Sequence, residues 1–353
     1  MPPPTPPTPP TIIIGLSGPS SSGKTTLARL LHRIFTLPPG ETTPTPKFRS
    51  LLIHEDDFYH SDDKIPLTTL PTGTVLQNWD TAGALDLGFL AASLDYIRTH
   101  GRLPPRLRSK EDQNDTQPVD DTSTGAVGEE QVVEELRRRV QQRLGAGADA
   151  GTKTVAFMEG FLLFAPPCDT AAAAQHPLRE VHERMDGRLF LPAAYEKVKE
   201  RRERRSGYVT IGAAPVPEVA AAAAAAAAGE GEQQGNVSGD AVKADRESID
   251  LEAEDDRPPQ NFWTDPPGYV DDIVWPNYVK DHAWLLLPEG ETEDEDRLLR
   301  ESDPQVLVRL VGQGTRLRDN AGVTVAPGRG DKPITELLTW AVEEVLKHLE
   351  KTV

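Results

Sequence analysis

A single cysteine, Cys168, stands in 353 residues. It excludes an internal disulfide and any zinc site built on thiolates, and it suits a reducing compartment. Cys168 lies in Pro166-Pro167-Cys168-Asp169 with no histidine motif beside it, the setting of a bystander thiol rather than a nucleophile. Long apolar runs are missing too: no stretch approaches the roughly 18–20 residues that a membrane span requires. The proline-rich start, Met1 to Pro10, has neither the basic region nor the apolar core of a secretory signal. The cytoplasm is therefore the expected compartment, with a nuclear share left open. Positive charge is scarce, 38 Lys and Arg against 56 Asp and Glu, for a net charge of −18. That balance argues against a nucleic-acid or anionic-membrane partner and leaves a small molecule as the expected one.

Apolar residues make up only 37%, whereas 32 prolines and 28 glycines are many, so much of the length is expected to lie outside a packed core. Acid concentrates in Glu230–Asp256 and Glu289–Glu301, where it reads as solvated insert rather than binding face. The expected organisation is a disordered tail over 1–10 and one domain over 11–353. That domain carries a low-complexity insert at 212–259, with its alanine run, and a flexible acidic loop at 289–303. Short apolar runs predict strands at Ile12–Leu16, Leu51–His54, Thr154–Met158, Gly187–Leu191 and Val306–Leu310. Between them, helices are expected over Thr26–Phe35, Thr81–His100 (capped by Thr81), Glu129–Leu144 and Pro192–Arg205, with a closing helix over Ile334–Leu349. Alternation of this kind implies an α/β fold, a parallel sheet with helices on both faces, and the chain is expected to act as a monomer.

Between the first strand and the first helix stands Gly18-Pro19-Ser20-Ser21-Ser22-Gly23-Lys24-Thr25, the pattern G-x-x-x-x-G-K-[ST]. Strand, glycine loop and helix form the setting in which such a loop cradles phosphates. The backbone N–H groups of Ser20, Ser21, Ser22, Gly23 and Thr26 would face phosphate oxygens. Lys24 would reach the β and γ phosphates, and the Thr25 hydroxyl would ligate Mg²⁺.

Two predicted strands end in acid at the sheet edge where ligands gather. The second closes on Glu55-Asp56-Asp57-Phe58-Tyr59, the third on Met158-Glu159-Gly160. A carboxylate there can hold Mg²⁺ or take a proton from an attacking hydroxyl. Asp56 suits either task, and Glu159 suits a metal-bound water or the substrate. In so acidic a chain the basic helix with Lys197, Lys199, Arg201, Arg202, Arg204 and Arg205 is conspicuous, and it reads as a lid that stabilises charge on a transferring phosphoryl group. Asn78-Trp79-Asp80 and Tyr208 offer rings beside a carboxylate, suited to a ribose-bearing base. A pyridinium base would add cation–π attraction; core packing is the alternative for Trp79.

These segments together resemble the nicotinamide riboside kinases, within the uridine-kinase-like P-loop small-molecule kinases. The resemblance rests on Gly15-Leu16-Ser17-Gly18 with Ser22-Gly23-Lys24-Thr25-Thr26-Leu27-Ala28, on Glu55-Asp56-Asp57-Phe58-Tyr59 and on Leu76-Gln77-Asn78-Trp79-Asp80. More specific are Met158-Glu159-Gly160-Phe161-Leu162-Leu163-Phe164 and Pro267-Gly268-Tyr269-Val270-Asp271-Asp272-Ile273-Val274-Trp275-Pro276-Asn277-Tyr278. The resemblance implies ATP- and Mg²⁺-dependent phosphorylation of the ribose 5′-hydroxyl of nicotinamide riboside, and of nicotinic acid riboside, in NAD salvage. By it, Asp56 is the general base and, with Thr25, a magnesium contact. Trp79 and Tyr208 sandwich the pyridine ring, Asp80 holds the ribose hydroxyls, and Asp57, Phe58, Tyr59, Arg202 and Val209 complete the acceptor side. Arg201 and Arg205 serve ATP, and Gly314-Thr315-Arg316 resembles the loop that packs on adenine.

Three departures stand out. Trp79 occupies a position where the family often has tyrosine. The arginine helix is one residue longer before Tyr208, which leaves the register of its arginines open. The insert falls inside the lid segment. The alternatives are a uridine or cytidine kinase of the same group and a nucleotide-binding switch that does not turn ATP over.

Overall fold

In the computed structural model, residues 11–36, 48–70, 72–107, 109, 125–144, 153–205, 207–211, 249–252, 260–290 and 293–351 are described. The expected tail over 1–10 lies outside them, as does most of the expected insert. Five parallel strands form the central sheet: β1 (Ile12–Ser17), β2 (Phe48–His54), β5 (Lys153–Gly160), β6 (Gly187–Phe190) and β9 (Thr324–Val325), in the order β2-β5-β1-β6-β9. β1 is buried along its whole length, and its side chains alternate between two cores, as strand geometry requires. Ile13 joins the core covered by α2 (Leu87–His100), whereas Ile12, Ile14 and Leu16 join that covered by α1 (Lys24–Phe35), α3 (Gly125–Leu144) and the C-terminal helix. Each apolar side chain so buried contributes roughly 1.5–3 kcal/mol. Among the described residues no helix is long and apolar enough to cross a membrane.

β1 pairs with β5 on one side and with β6 on the other. β1 leads to β2 on one side of it, while β5 leads across it to β6 on the other, so a crevice opens beyond its carboxyl end. There the P-loop, the acidic ends of β2 and β5, and α4 (Tyr195–Glu203) meet. Two antiparallel ribbons flank the crevice: β3 (Leu67–Thr69) with β4 (Val75–Gln77), and β7 (Tyr208–Ile211) with β8 (Gln260–Trp263). β7 ends just before the expected insert begins and β8 starts just after it. The insert is thus the connection of a hairpin, a place where added length costs little closure entropy.

Several expectations are corrected. Val306–Leu310 is not a strand; it lies inside the helix Pro304–Val311. Asp303 caps that helix by accepting from the Gln305 N–H, Pro304 sits in its first turn, and Leu307 and Val311, four apart, are its buried residues. The fifth strand is instead Thr324–Val325. The helix expected to be capped by Thr81 begins at Leu87, with Asp86 as the cap accepting from Phe89 N–H at 2.8 Å. The basic helix starts at Tyr195 rather than Pro192. Within the acidic stretch 289–303, Glu293–Arg300 is helical and buries Leu298. Inside the insert, residues 249–252 dock on the core. Ile249 and Leu251 pack against it, Leu251 C=O accepts from Arg106 N–H, and Glu252 accepts from Tyr96 Oη at 2.6 Å.

Candidate active site

The P-loop follows from backbone geometry. Gly18 has φ +154°, and a Cβ there would lie 2.2 Å from the Leu191 carbonyl, so only glycine is tolerated. Gly23, the N-cap of α1, contributes no side-chain cap, which leaves the first N–H groups of the helix for a ligand. The Ser21 and Ser22 hydroxyls are buried without a hydrogen-bond partner, and the Lys24 ammonium donates to Pro19 O at 2.8 Å. Burial draws Lys24 below its ordinary pKa, opposed chiefly by Glu159 and Asp56. Unmatched hydroxyls, open N–H groups and a buried cation fit a chain of phosphates.

The two strand-end acids are handled differently. Residues Glu55–Phe58 form a tight helical turn that sends successive side chains in different directions. Glu55 turns back under β5, accepting from Phe161 N–H at 2.6 Å and Leu162 N–H at 3.1 Å, and burial pushes it up to about 8. Phe58 enters the core against Phe89, with ring centroids 5.1 Å apart. Asp56 and Tyr59 face the crevice. Glu159 stands opposite His54 in the β2–β5 register. Its Oε1 takes His54 Nδ1 at 2.8 Å and the Thr25 hydroxyl at 3.1 Å. Burial alone would raise Glu159, but His54, Lys24 and Thr25 together hold it below its ordinary value. Thr25 and Asp56 line the same cavity, and a hydroxyl and a carboxylate are ligand types that Mg²⁺ accepts alongside phosphate oxygens.

At the far end, Arg202 is nearly buried between two carboxylates. It meets Asp80 at 2.7 and 2.9 Å, and Asp265 at 2.7 Å through Nε. Burial would lower Arg202, but Asp80, Tyr208 and Asp265 hold it well above its ordinary value, whereas Asp80 is raised by burial against the pull of Arg202. The guanidinium lies over the Tyr208 ring at 5.3 Å and the Tyr269 ring at 5.6 Å. Tyr269 Oη donates to Gln77 O and accepts from Trp79 N–H, both at 3.0 Å. That bridge fixes the backbone on either side of Asn78. Trp79 meets Tyr59 edge-on at 5.4 Å and Trp263 at 5.8 Å.

Tyr208 and Trp263 are directly opposed in the β7–β8 ribbon, so their side chains share a face. Thr210 and Asn261, the next opposed pair on that face, both donate to Asp62 Oδ2, at 3.0 and 2.9 Å, and anchor the ribbon. Gly207, with φ +142°, lets the chain enter the ribbon; a Cβ there would strike the Phe262 ring at 2.4 Å.

One cavity of about 500 Å³ joins these parts. Of the residues named from the sequence, Ser20, Ser21, Ser22, Gly23, Lys24, Thr25, Thr26, Asp56, Tyr59, Trp79, Asp80, Glu159, Arg201, Arg202, Arg205, Tyr208 and Val209 line it. Others do not. Gly18 lies behind the loop against Leu191, while Asp57 and Phe58 are buried elsewhere. Gly314, Thr315 and Arg316 lie off the wall: Gly314 packs on the Trp275 ring, and Arg316 donates to Pro288 O at 2.6 Å. Their place on the wall is taken by Gly330, Lys332, Ile334 and Leu337, from the loop after β9 and the helix Ile334–Lys351 that follows. Trp263 and Phe161 also line the cavity and were not anticipated. Aromatic residues crowd Phe262–Trp284, just after the insert, which is a signal for Trp263, but its partner strand lies on the insert's other side.

No protein-family model matches the chain. It is similar to the nicotinamide riboside kinase of Saccharomyces cerevisiae, 26% identical over 336 residues that cover 95% of this chain and 96% of that protein. The nicotinamide riboside kinase of Schizosaccharomyces pombe is 27% identical over 78% of this chain and 81% of its own length. That of Eremothecium gossypii is 28% identical over 82% of both chains.

Proposed function

We propose that this chain is a nicotinamide riboside kinase, transferring the γ-phosphoryl group of ATP to the ribose 5′-hydroxyl of nicotinamide riboside to give the mononucleotide used in NAD salvage. The observation that carries the reading is the continuity of the cavity. A phosphate-cradling loop opens past Asp56 and Glu159 onto an aromatic wall formed by Tyr59, Trp79, Tyr208 and Trp263. Similarity to three fungal nicotinamide riboside kinases over most of their length supports the same acceptor.

In this reading the P-loop N–H groups and the Ser21 and Ser22 hydroxyls hold the phosphates, and Lys24 leaves Pro19 O to follow the β and γ oxygens. Mg²⁺, when bound, neutralises charge shared between the β and γ oxygens. Thr25 and Asp56 would hold it, and Glu159, fixed by His54 and Thr25, would orient its water. Asp56 accepts the 5′-hydroxyl proton as the oxygen attacks. Arg201, on the exposed side of α4, and Arg205, just past its end, meet charge spread over the γ-phosphoryl oxygens. Gly330 to Leu337 offer backbone and apolar surface for the adenine. The base rests against Trp79 and the ribbon rings, and the remaining lone pairs of Asp80 accept from the ribose hydroxyls.

An ADP-release assay with Mg-ATP and nicotinamide riboside, nicotinic acid riboside, uridine and cytidine tests this. High kcat/KM on the pyridine ribosides supports the proposal. Preference for uridine or cytidine overturns the acceptor, and ATP binding without turnover of any acceptor overturns the activity.

A further inference from the structure

The acceptor end of the cavity carries more negative than positive charge, and the excess is built in. Asp80 and Asp265 together outnumber the one guanidinium between them, and the side chains of Arg202, Asp80 and Asp265 are only 6%, 6% and 15% exposed. Asp265 is not part of the cavity lining. It acts from behind, accepting Arg202 Nε at 2.7 Å and Trp263 Nε1 at 3.0 Å. With both carboxylates engaged, Arg202 has no charge left to offer a ligand. The site therefore presents a surplus of one negative charge among aromatic rings, where screening by water is weak. Arg205 lies over the Tyr208 ring at 5.4 Å, and Lys24 acts on Asp80 from the P-loop. Arg205 is exposed and turned to the phosphate end, where the triphosphate would take it up.

We propose that Asp265 is a specificity-determining residue: by over-compensating Arg202 it makes the acceptor pocket favour a ribosylated cationic base over one of equal shape and no net charge. The inference rests on the pyridine-riboside reading above and deepens it. Nicotinamide riboside carries the fixed positive charge of its N-glycosidic pyridinium. Nicotinic acid riboside has the same ring and ribose, but its carboxylate cancels that charge. The two share a shape and differ by one unit of charge, so their ratio of kcat/KM reads the field in the pocket.

The test is that ratio in the unaltered chain and in Asp265→Asn, Asp265→Glu and Asp265→Ser, each checked by thermal unfolding. Asp265→Asn retains one acceptor for Trp263 or Arg202 and removes the surplus charge. It should lower kcat/KM for nicotinamide riboside by about tenfold and that for nicotinic acid riboside by no more than about twofold, a selectivity change near 1 kcal/mol. Asp265→Glu should restore the ratio. Asp265→Ser should reproduce the loss should the Asn variant fail to fold. A purely structural role lowers both ribosides in the same proportion and leaves the ratio unmoved, and that result overturns the inference while leaving the kinase reading intact. Silence of the unaltered chain on both ribosides overturns the kinase reading and the inference with it.

Discussion

Replacing Arg202 by Leu tests whether the acceptor site is held together by its buried charges. In the native arrangement each carboxylate lies 2.7 Å from the guanidinium. Opposite charges about 4 Å apart attract by roughly 4 kcal/mol at an effective dielectric near 20, and desolvation of the three groups offsets much of this. The net worth of the triad is small, whereas its disruption is costly. Without Arg202, Asp80 and Asp265 face each other and the rings of Tyr208 and Tyr269 with no guanidinium between them. Removing one member of a buried ion pair costs about 3–5 kcal/mol, which for a chain of this size lowers Tm by roughly 4–7 °C. The same argument requires rescue. Arg202→Leu combined with Asp80→Asn and Asp265→Asn removes the stranded charge and should recover at least about 1.5 kcal/mol, a coupling typical of groups in direct contact. Denaturant unfolding of the single, double and triple variants measures it. Binding of the acceptor, followed by calorimetry, should stay weak throughout, because stability returns without the donors and acceptors that shape the site. A triple variant no more stable than Arg202→Leu alone would refute the account of the triad.

Asp56→Ala should lower kcat by about 10²–10⁴-fold, the range for loss of a positioned base, with ATP affinity little changed by calorimetry; unchanged turnover removes Asp56 from the base role. His54→Phe takes away one of the two donors to Glu159 Oε1. It should depress kcat by about tenfold or more, as expected for a hydrogen bond to a charged group, with little change in the acceptor KM. His54→Asn, which can still donate, should recover most of the loss, and indistinguishable Asn and Phe variants would sink this role. His282 is buried and held down to about 4, by burial foremost. Its imidazole stays neutral in the fold while the unfolded chain takes up a proton below about 6.5. Stability from this residue is complete above that pH and falls as the pH drops from there toward 4, by on the order of 3 kcal/mol in total. Unfolding of His282→Gln should be less pH-dependent across that window, and an equal slope in both proteins counts against it.

Much of the site was legible because its chemistry is local. The P-loop needs glycine at two backbone positions and a lysine and hydroxyl at fixed offsets, so its sequence and its geometry are nearly the same statement. The acidic ends of β2 and β5 were legible for a similar reason, since a buried strand must expose its end to something. What failed was non-local. Val306–Leu310 is a short apolar run that fits strand or helix equally well, and the Asp303-Pro304 start that decides for helix lies outside it. Misreading that run as the last strand moved the loop beyond it as well. The resemblance to an adenine-packing loop then falls on Gly314–Arg316, whereas the last strand of the sheet, Thr324–Val325, delivers Gly330 and Lys332 to the cavity.

The hairpin that carries Tyr208 and Trp263 shows why the insert hid part of the site without displacing it. Pairing of the two rings depends on register across β7 and β8, and no feature of either strand alone reports that register. Register here is set from outside the ribbon. Asp62 takes a hydrogen bond from each strand, and Asp265 ties Trp263 to Arg202. Both strands are thus tied to Asp62, at Thr210 and Asn261, and β8 is tied to Asp265 at Trp263, so contacts within the ribbon's own surroundings hold the two rings in register. The same logic joins two motifs that looked independent in the sequence. Tyr269 holds the backbone around Asn78, and Asn277 donates to Asn78 Oδ1 and Asp80 O, both at 2.9 Å. The Asn78-Trp79-Asp80 segment is thus held in place by hydrogen bonds from Tyr269 and Asn277.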